Sequence, residues 1–240
     1  MGSDDHRLLQ REGVLFFGNV IAGLSHELSN VFNIINEMAG LQQDIVGGAQ
    51  PGSTDTADRL FELAGRIKAQ VERGETYNRY LHKLAHSVDD TGIAFDLGET
   101  LELVSSLAAR PARLARVELV MQPPEQPVTL EGDPFAFVLM IYGSIGAVLS
   151  AADSERRVEV GAAAHDQAVR ITITSADSLP ADVIDESAAA LRIGRAAWGM
   201  VHTLDRRPDA HDSVILDLPV VAPGPHATAD DEGQEDPDVT

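Results

Sequence analysis

The chain has 240 residues, a formal net charge of −20 and no cysteine. The lack of thiols excludes disulfides and thiolate metal sites and fits a cytoplasmic location, and the negative charge argues against binding to nucleic acid or an anionic membrane, since both are polyanions. We find no apolar run of about 18 residues, so no membrane span is expected. The length is enough for one large or two small domains, and a hydrophobic content of 44% is ordinary for a globular protein.

The segment 1–90 is predicted to form a helical hairpin. A helix over about residues 5–46 ends at a cluster of glycines and a proline, and a second helix, capped at about residues 53–55, runs to about Asp89. Helices joined by so short a loop pack antiparallel. On the first helix, apolar side chains recur at alternating gaps of four and three residues, which is a heptad seam: Phe17, Ile21, Leu24, Leu28, Val31, Ile35 and Met38. Two hairpins that pair through this seam form a four-helix bundle, so we expect a homodimer.

The segment 91–221 is predicted to form a small α/β sandwich, which is a sheet with helices on one face. The predicted elements are a helix over about 95–109, strands over 117–121 and 128–130, a helix over 133–152, strands over 157–162 and 169–174, a helix over 187–204 and a strand over 213–218. Trp198 and Phe135 are interpreted as core residues. The segment 222–240 has six acidic residues and no lysine or arginine, so an acidic disordered tail is expected.

The most informative segment is the run Ser-His-Glu-Leu-Ser-Asn at residues 25–30, inside the first predicted helix. With Ile21 at heptad position a and Leu24 at d, His26 falls at f, the position that faces water, and Asn30 lies one turn later on the same face. A neutral imidazole is a good nucleophile near pH 7, because the ordinary pKa of histidine lies near 6.5. An exposed imidazole with a carboxylate beside it and an amide one turn away favours phosphoryl chemistry at His26.

This segment resembles the phosphoacceptor box of sensor histidine kinases, in which a His-Glu-x-x-Asn or His-Glu-x-x-Thr run lies on the first helix of a dimeric helical hairpin. Weaker similarity continues to about Pro219, so the resemblance covers most of the chain. It implies that Nε2 of His26 accepts the phosphoryl group and that Glu27 orients the imidazole or accepts a proton. It also implies that Asn30 positions a water for the hydrolysis of a partner's aspartyl phosphate.

The element order of the second segment resembles the ATP-binding domain of the same family, which marks its nucleotide site with three motifs. The first motif, N-L-x-x-N-A on the helix after an Asp, maps to Tyr-Gly-Ser-Ile-Gly-Ala at residues 142–147, after Asp133. Both asparagines are replaced, by Tyr142 and Gly146, and Gly146 has no side-chain oxygen for Mg²⁺.

The other two nucleotide motifs are also lost. The second, D-x-G-x-G, maps to Ser175, Asp177 and Leu179, and a shift of two residues restores Asp177 but places Leu179 and Ala181 where glycines are needed. The third, G-x-G-L at the start of the last helix, maps to Ala-Leu-Arg-Ile at residues 190–193, whose bulk leaves no room for a polyphosphate at the helix N-terminus. The resemblance therefore implies the fold of a histidine kinase without its ATP site.

The sequence thus predicts a histidine phosphotransferase that relays phosphoryl groups between the receiver-domain aspartates of response regulators through His26. We expect it to use no ATP and to bind no cofactor, with Mg²⁺ held by the receiver. Three alternatives remain: a true kinase with a divergent ATP pocket, a non-enzymatic pseudokinase adaptor, and a receiver phosphatase that uses Asn30. No metal site is expected, because His82 and His86 are spaced i, i+4 on the second helix but no flanking acid completes a site.

Overall fold

The computed structural model describes residues 3–48, 54–89, 92–152, 157–165, 167–184, 188–206 and 211–222. The contacts between residues divide the chain into two compact units. One unit is Gly13–Asp89, and the other consists of Met1–Glu12 and Asp90–Thr240. The loop that joins the two predicted N-terminal helices and nearly all of the predicted acidic tail lie outside the described residues.

The unit Gly13–Asp89 is a helical hairpin, as predicted. Helix α1 is Ser3–Gly48 and helix α2 is Thr54–His86. The two helices touch where Gly74 faces Val31, since a Cβ on Gly74 would lie 3.6 Å from Cγ1 of Val31. On α1 the buried side chains recur every three or four residues along the face toward α2, with one gap of seven: Phe16, Val20, Leu24, Glu27, Val31 and Met38.

The predicted heptad seam needs a correction. The seam was expected to be covered by a second copy of the hairpin, but Leu24, Val31 and Met38 are already buried within one hairpin. Ile21 of the same seam is 42% exposed, and the buried stripe includes the charged residue Glu27. The apolar residues of α1 therefore form two stripes, of which a single hairpin buries only one. On α1 the large apolar side chains that remain exposed are Val14, Leu15, Ile21, Phe32, Leu41 and Val46.

The described part of the second unit contains a five-stranded sheet, a two-stranded ribbon, three α-helices and a short 3₁₀ turn at Ala181–Ile184, which confirms the predicted helix-and-sheet sandwich. In chain order the other elements are β1 (Ile93–Asp96), α3 (Leu97–Ala115), β2 (Glu118–Gln122), β3 (Thr129–Gly132), α4 (Pro134–Ala151), β4 (Arg157–His165), β5 (Ala168–Ser175), α5 (Ala189–Trp198), β6 (Val201–Asp205) and β7 (Asp212–Pro219).

The main sheet has the strand order β2-β4-β5-β7-β6. Strands β2 and β4 are parallel, because the crossover through α4 returns the chain in the same direction, and the other neighbours are antiparallel. Alternate residues of β5 and β7, such as Ile171, Ile173 and Leu216, are fully buried. The opposite face of these strands carries an ion pair in which Nε of Arg170 donates to Oδ1 of Asp217 over 2.7 Å. One face of the sheet is therefore core and the other faces solvent.

Two strands were not predicted from the sequence, and the bounds of α3 and α5 differ from those predicted, with α3 ending at Ala115 rather than at about residue 109. Strand β1 pairs with β3 rather than with the main sheet, and α3 begins only after it, where the Asp96 carboxylate accepts the backbone N–H of Glu99 over 2.8 Å. Helix α5 ends at Trp198 because Gly199 adopts a left-handed φ of 61°, and β6 follows where the helix was expected to continue.

Helix α4 forms the centre of the second unit. Among the described helices it alone is long and apolar enough to cross a membrane, with a mean hydropathy of 1.8, although no such run was expected. Of this 18-residue stretch, 61% is buried inside the unit, which is typical of a core helix. Trp198 is fully buried as predicted, with its ring edge-on to Phe137 at 5.5 Å between centroids, whereas Phe135 is only half-buried.

Candidate functional site

His26 lies on the exposed side of α1, halfway along the hairpin. Its ring is exposed, as the f position predicts, while Leu24 and Glu27 on either side are buried. The run from Val20 to Val31 contains no proline or glycine except Gly23, so the helix continues through the site without a break. The imidazole is therefore presented on a rigid helix and open to a partner.

The Asn30 side chain contacts the imidazole of His26 one helical turn away. Nδ2 of Asn30 lies 3.2 Å from Nδ1 of His26, within hydrogen-bond distance. The oxygen and nitrogen of an amide exchange places on a 180° rotation, so two arrangements fit this contact. In the first, Nδ2 of Asn30 donates to Nδ1 of His26; in the second, Oδ1 of Asn30 accepts the Nδ1–H. In the second arrangement the ring proton sits on Nδ1 and the lone pair is on Nε2.

Glu27 points into the hairpin. Its side chain is only 8% exposed, and its Oε2 accepts a hydrogen bond from Nη2 of Arg73 on α2 over 3.1 Å. The Tyr77 hydroxyl donates to the same oxygen over 3.4 Å. The sequence predicted that Glu27 acts on the His26 ring; the structure places its carboxylate in an ion pair with the other helix.

Arg73 and Tyr77 complete this cluster, and sequence analysis missed both. Nε of Arg73 donates to the Tyr77 hydroxyl over 2.9 Å, and the guanidinium carbon lies 5.5 Å from the centre of the tyrosine ring. The i, i+4 spacing of the two residues on α2 is the only local signal for their contact. Their partner Glu27 is 46 residues from Arg73, so no spacing rule links them. The cluster joins α1 to α2 beside His26.

The helices that carry the first and third degenerate nucleotide motifs pack directly against each other. A Cβ on Gly143 of α4 would lie 2.6 Å from Cβ of Ala190 on α5, a distance that real Cβ atoms do not reach. A Cβ on Gly194 of α5 would lie only 3.0 Å from Cγ of Met140 on α4. The two glycines therefore allow a helix–helix approach that leaves no gap at these points.

The segment of the second degenerate motif is held by protein groups. Leu179 is 1% exposed, and its backbone N–H donates to the buried carboxylate of Asp212 over 2.8 Å. The Leu179 carbonyl accepts a hydrogen bond from Arg206 over 3.0 Å. A core leucine, tied at both its N–H and C=O, occupies the position where the family motif has a glycine.

Asp133, which corresponds to the acidic residue before the first motif, caps α4. Its Oδ1 accepts the backbone N–H of Ala136 over 2.9 Å, and its carbonyl accepts the indole N–H of Trp198 over 3.2 Å. Burial raises the pKa of the Asp133 carboxyl above its ordinary value, and the two backbone N–H donors at Ala136 and Phe135 oppose that shift. These contacts give Asp133 a structural role at the start of the core helix.

Comparisons with known proteins gave matches among solved structures only. No protein-family model matches the chain, and no curated protein matches its sequence. The catalytic domain of the histidine kinase ThkA matches 55% of this chain and 97% of its own, with a TM-score of 0.47 and 13% identity. ThkA in complex with the response regulator TrrA matches 91% of this chain and 67% of its own (TM-score 0.46, 11% identity). The ATP-binding domain of PrrB from Mycobacterium tuberculosis matches 56% and 99% (TM-score 0.46, 19% identity).

These three structural neighbours are histidine kinase domains and a kinase–regulator complex. All three TM-scores are below 0.5 and all three identities below 25%. The site described above is accordingly built from the residues of this chain alone.

Proposed function

We propose that the chain is a cytoplasmic, homodimeric histidine phosphotransferase of a two-component phosphorelay, in which His26 takes a phosphoryl group from the aspartate of one response-regulator receiver and passes it to another. The observation that carries this proposal is the exposed imidazole of His26 with the Asn30 amide 3.2 Å from its Nδ1. That contact can hold the ring so that Nε2 is the nucleophile.

The transfer needs no cofactor on this chain. The Nε2 lone pair of His26 forms the N–P bond while the P–O bond to the receiver aspartate breaks, and the electron pair returns to that carboxylate. Mg²⁺ held by the receiver neutralises charge on the phosphoryl oxygens. With Oδ1 of Asn30 accepting the Nδ1–H, no proton has to leave Nε2 before attack, and the imidazolium formed keeps its hydrogen bond.

Glu27 receives an anchoring role in this proposal. Its ion pair with Arg73 crosses from α1 to α2 next to the phosphoacceptor, so it holds the helix face that presents His26. Because Glu27 is largely buried, removing the charge of Arg73 leaves a carboxylate without its cation inside the hairpin. The expectation that Glu27 accepts a proton from the ring remains the alternative, and the two roles predict different effects of Glu27→Gln.

The absence of ATP chemistry is also part of the proposal. The close approach of Gly143 to Ala190 and the buried Leu179 support it, because the segments that map to the lost nucleotide motifs are packed with protein groups at these points. A kinase with a divergent pocket would have to separate α4 from α5 to admit the triphosphate.

The deciding experiment incubates the full chain with a receiver domain that has been charged with phosphoryl from a small-molecule donor. The expected product is acid-labile, base-stable phosphate on His26, with loss of phosphate from the receiver. His165→Ala, which alters another exposed histidine, is the matched control and should accept phosphate normally. If the chain stays unlabelled but the receiver loses phosphate to water, the receiver-phosphatase alternative replaces the relay.

The remaining alternatives predict other outcomes of the same assay. Labelling of His26 by ATP without a receiver would identify a kinase. If neither ATP nor a charged receiver labels the chain while it still binds a kinase or receiver and changes that protein's activity, the adaptor alternative replaces the proposal.

A further inference from the structure

Two histidines and an aspartate meet at the end of α2, away from the residues used above. The Nε2 atoms of His82 and His86 lie 3.2 Å apart, and their ring centroids are 4.3 Å apart. Nδ1 of His86 lies 2.7 Å from Oδ2 of Asp89. The helical i, i+4 spacing brings the rings together, and the turn after α2 brings the carboxylate to the far side of one ring.

The Asp89 contact determines where the lone pair of His86 lies. A carboxylate only accepts, so Nδ1 of His86 carries the proton and donates it to Asp89. In the neutral pair, Nε2 of His86 then accepts the 3.2 Å hydrogen bond and Nε2 of His82 donates it, so an ion that binds both nitrogens replaces that single proton. A histidine that donates one ring N–H to a carboxylate and offers its other nitrogen as an acceptor is the arrangement found around protein-bound metals.

We propose that His82 and His86 form a binding site for a divalent transition-metal ion, with Zn²⁺ as the preferred class and Asp89 as the outer carboxylate that orients His86. For Zn–N bonds of about 2.0–2.1 Å in tetrahedral geometry, two nitrogen ligands lie about 3.3–3.4 Å apart. The same bond lengths at a right angle, as in a square-planar site, give about 2.9 Å. The observed 3.2 Å is nearer to the tetrahedral separation.

The surroundings of the pair are suited to a cation. The side chains of His86 and Asp89 are 61% and 60% exposed, so water can occupy the remaining coordination positions. No group of three or more metal-binding side chains lies within the part of the chain that the structure describes, so the ion is held by two protein ligands and water. The C-terminal end of a helix dipole and a net charge of −20 both attract cations, although Lys83 in the same turn opposes them.

The site differs from what the sequence predicted. The i, i+4 pair was visible, but no acid was expected to complete it. In the structure no acid supplies a third ligand among the described residues, and Asp89 instead contacts the far nitrogen of His86, outside the positions that a metal would occupy.

The test titrates the tag-free, full-length chain with Zn²⁺ by calorimetry. We expect one saturable site per chain, and at least tenfold weaker binding in both His82→Ala and His86→Ala. Asp89→Asn should weaken binding by about tenfold, as is usual when the outer partner of a metal-bound histidine is lost. His165→Ala, an exposed histidine on β4, is the matched control and should bind as the wild type does.

Ring ¹⁵N spectra provide a second readout that does not depend on phosphoryl transfer. Zn²⁺ should shift the Nε2 resonances of His82 and His86 and leave that of His26 unchanged. The proposal is overturned if the wild type has no saturable site, if His82→Ala binds as tightly as the wild type, or if His165→Ala loses as much affinity as His86→Ala does.

Discussion

The Asn30 amide lies against Nδ1 of His26 at 3.2 Å, while Glu27, which directly follows His26, is turned toward Arg73 on the other helix. The two polar side chains that follow His26 in the motif therefore have different partners. One contacts the ring, and the other joins the two helices. In the proposed relay, this division gives Asn30 the control of the ring proton.

Asn30→Ala should shift the ring proton of His26 toward Nε2 and slow phosphoryl acceptance. Loss of one hydrogen bond, worth about 0.5–1.5 kcal/mol, corresponds to a slowing of about two- to tenfold. Ring ¹⁵N shifts of the neutral form measure the tautomer directly, and rapid quench with a charged receiver measures the rate. Asn30→Asp, whose carboxylate accepts the Nδ1–H, should restore the wild-type tautomer.

Ser29→Ala is the matched control for Asn30, since Ser29 is exposed beside it and only donates to the Ser25 carbonyl over 2.9 Å. It should leave both the tautomer and the rate unchanged. An unchanged tautomer in Asn30→Ala would refute the role of Asn30 even if the chain still proved to be a phosphotransferase.

His26→Ala should abolish phosphoryl acceptance and leave the fold intact. The ring is exposed, so truncation should change the free energy of unfolding by less than about 0.5 kcal/mol. Urea unfolding and acid-labile phosphate on the chain are the two measurements. Undiminished labelling of His26→Ala by a charged receiver would contradict the relay.

Arg73→Ala should destabilise the hairpin by about 1–3 kcal/mol, because it leaves the largely buried Glu27 carboxylate without its charged donor. The loss should fall short of that for a fully buried pair, since Arg73 is 46% exposed and water can reach the gap. A double-mutant cycle with Glu27→Gln measures the coupling.

The exposed pair Lys68–Glu72 supplies the control for this cycle, and Lys68→Ala should cost less than about 0.5 kcal/mol. If Glu27 is an anchor, Glu27→Gln should retain acceptance at His26 in proportion to the folded fraction. Full stability with lost acceptance would instead identify Glu27 as the proton acceptor.

The periodicity of apolar residues was sufficient to predict the hairpin, the core helix α4 and the strands β2, β3, β4, β5 and β7. It failed at β1 and β6, strands of four and five residues that adjoin a helix, because so short an apolar run fits a helical turn equally well. Gly199, directly after Trp198, was the available signal that α5 ends there.

The candidate site was predicted in part. The exposure of His26 and the shared face of His26 and Asn30 follow from helical spacing. The Glu27–Arg73 ion pair does not follow from helical spacing, because it depends on which apolar stripe of α1 packs against α2. The heptad count could not identify that stripe, because the residues it selected come from both stripes of α1. Gly143 and Gly194 within helices were the signal for the close contact of α4 with α5.

The apolar residues that α1 leaves exposed predict a dimer. Ile21 is 42% exposed and Phe32 is 61% exposed, and contiguous apolar surface of this kind is normally covered by a partner. Ile21→Asp should convert the dimer to a monomer in light scattering at micromolar concentration. Val201→Asp, on an exposed valine of β6, should stay dimeric. A monomeric wild type would contradict the prediction.

The last prediction concerns the nucleotide. A ligand at 100 times its dissociation constant stabilises a protein by about 2.7 kcal/mol, so binding of Mg-ATP would be evident as a rise in melting temperature. We expect no such rise, because Gly143 and Ala190 hold α4 against α5 and Leu179 is packed in the core.

Gly146→Asn, which restores one asparagine of the first motif, has open space around its Cβ and should change stability by less than about 0.5 kcal/mol. The melting temperature of Gly146→Asn should still not rise with Mg-ATP, because the asparagine restores a metal ligand without separating the two helices. A clear stabilisation of the wild type would instead favour the divergent-kinase alternative, and stabilisation of Gly146→Asn alone would mean that the missing ligand, not the helix packing, excludes ATP.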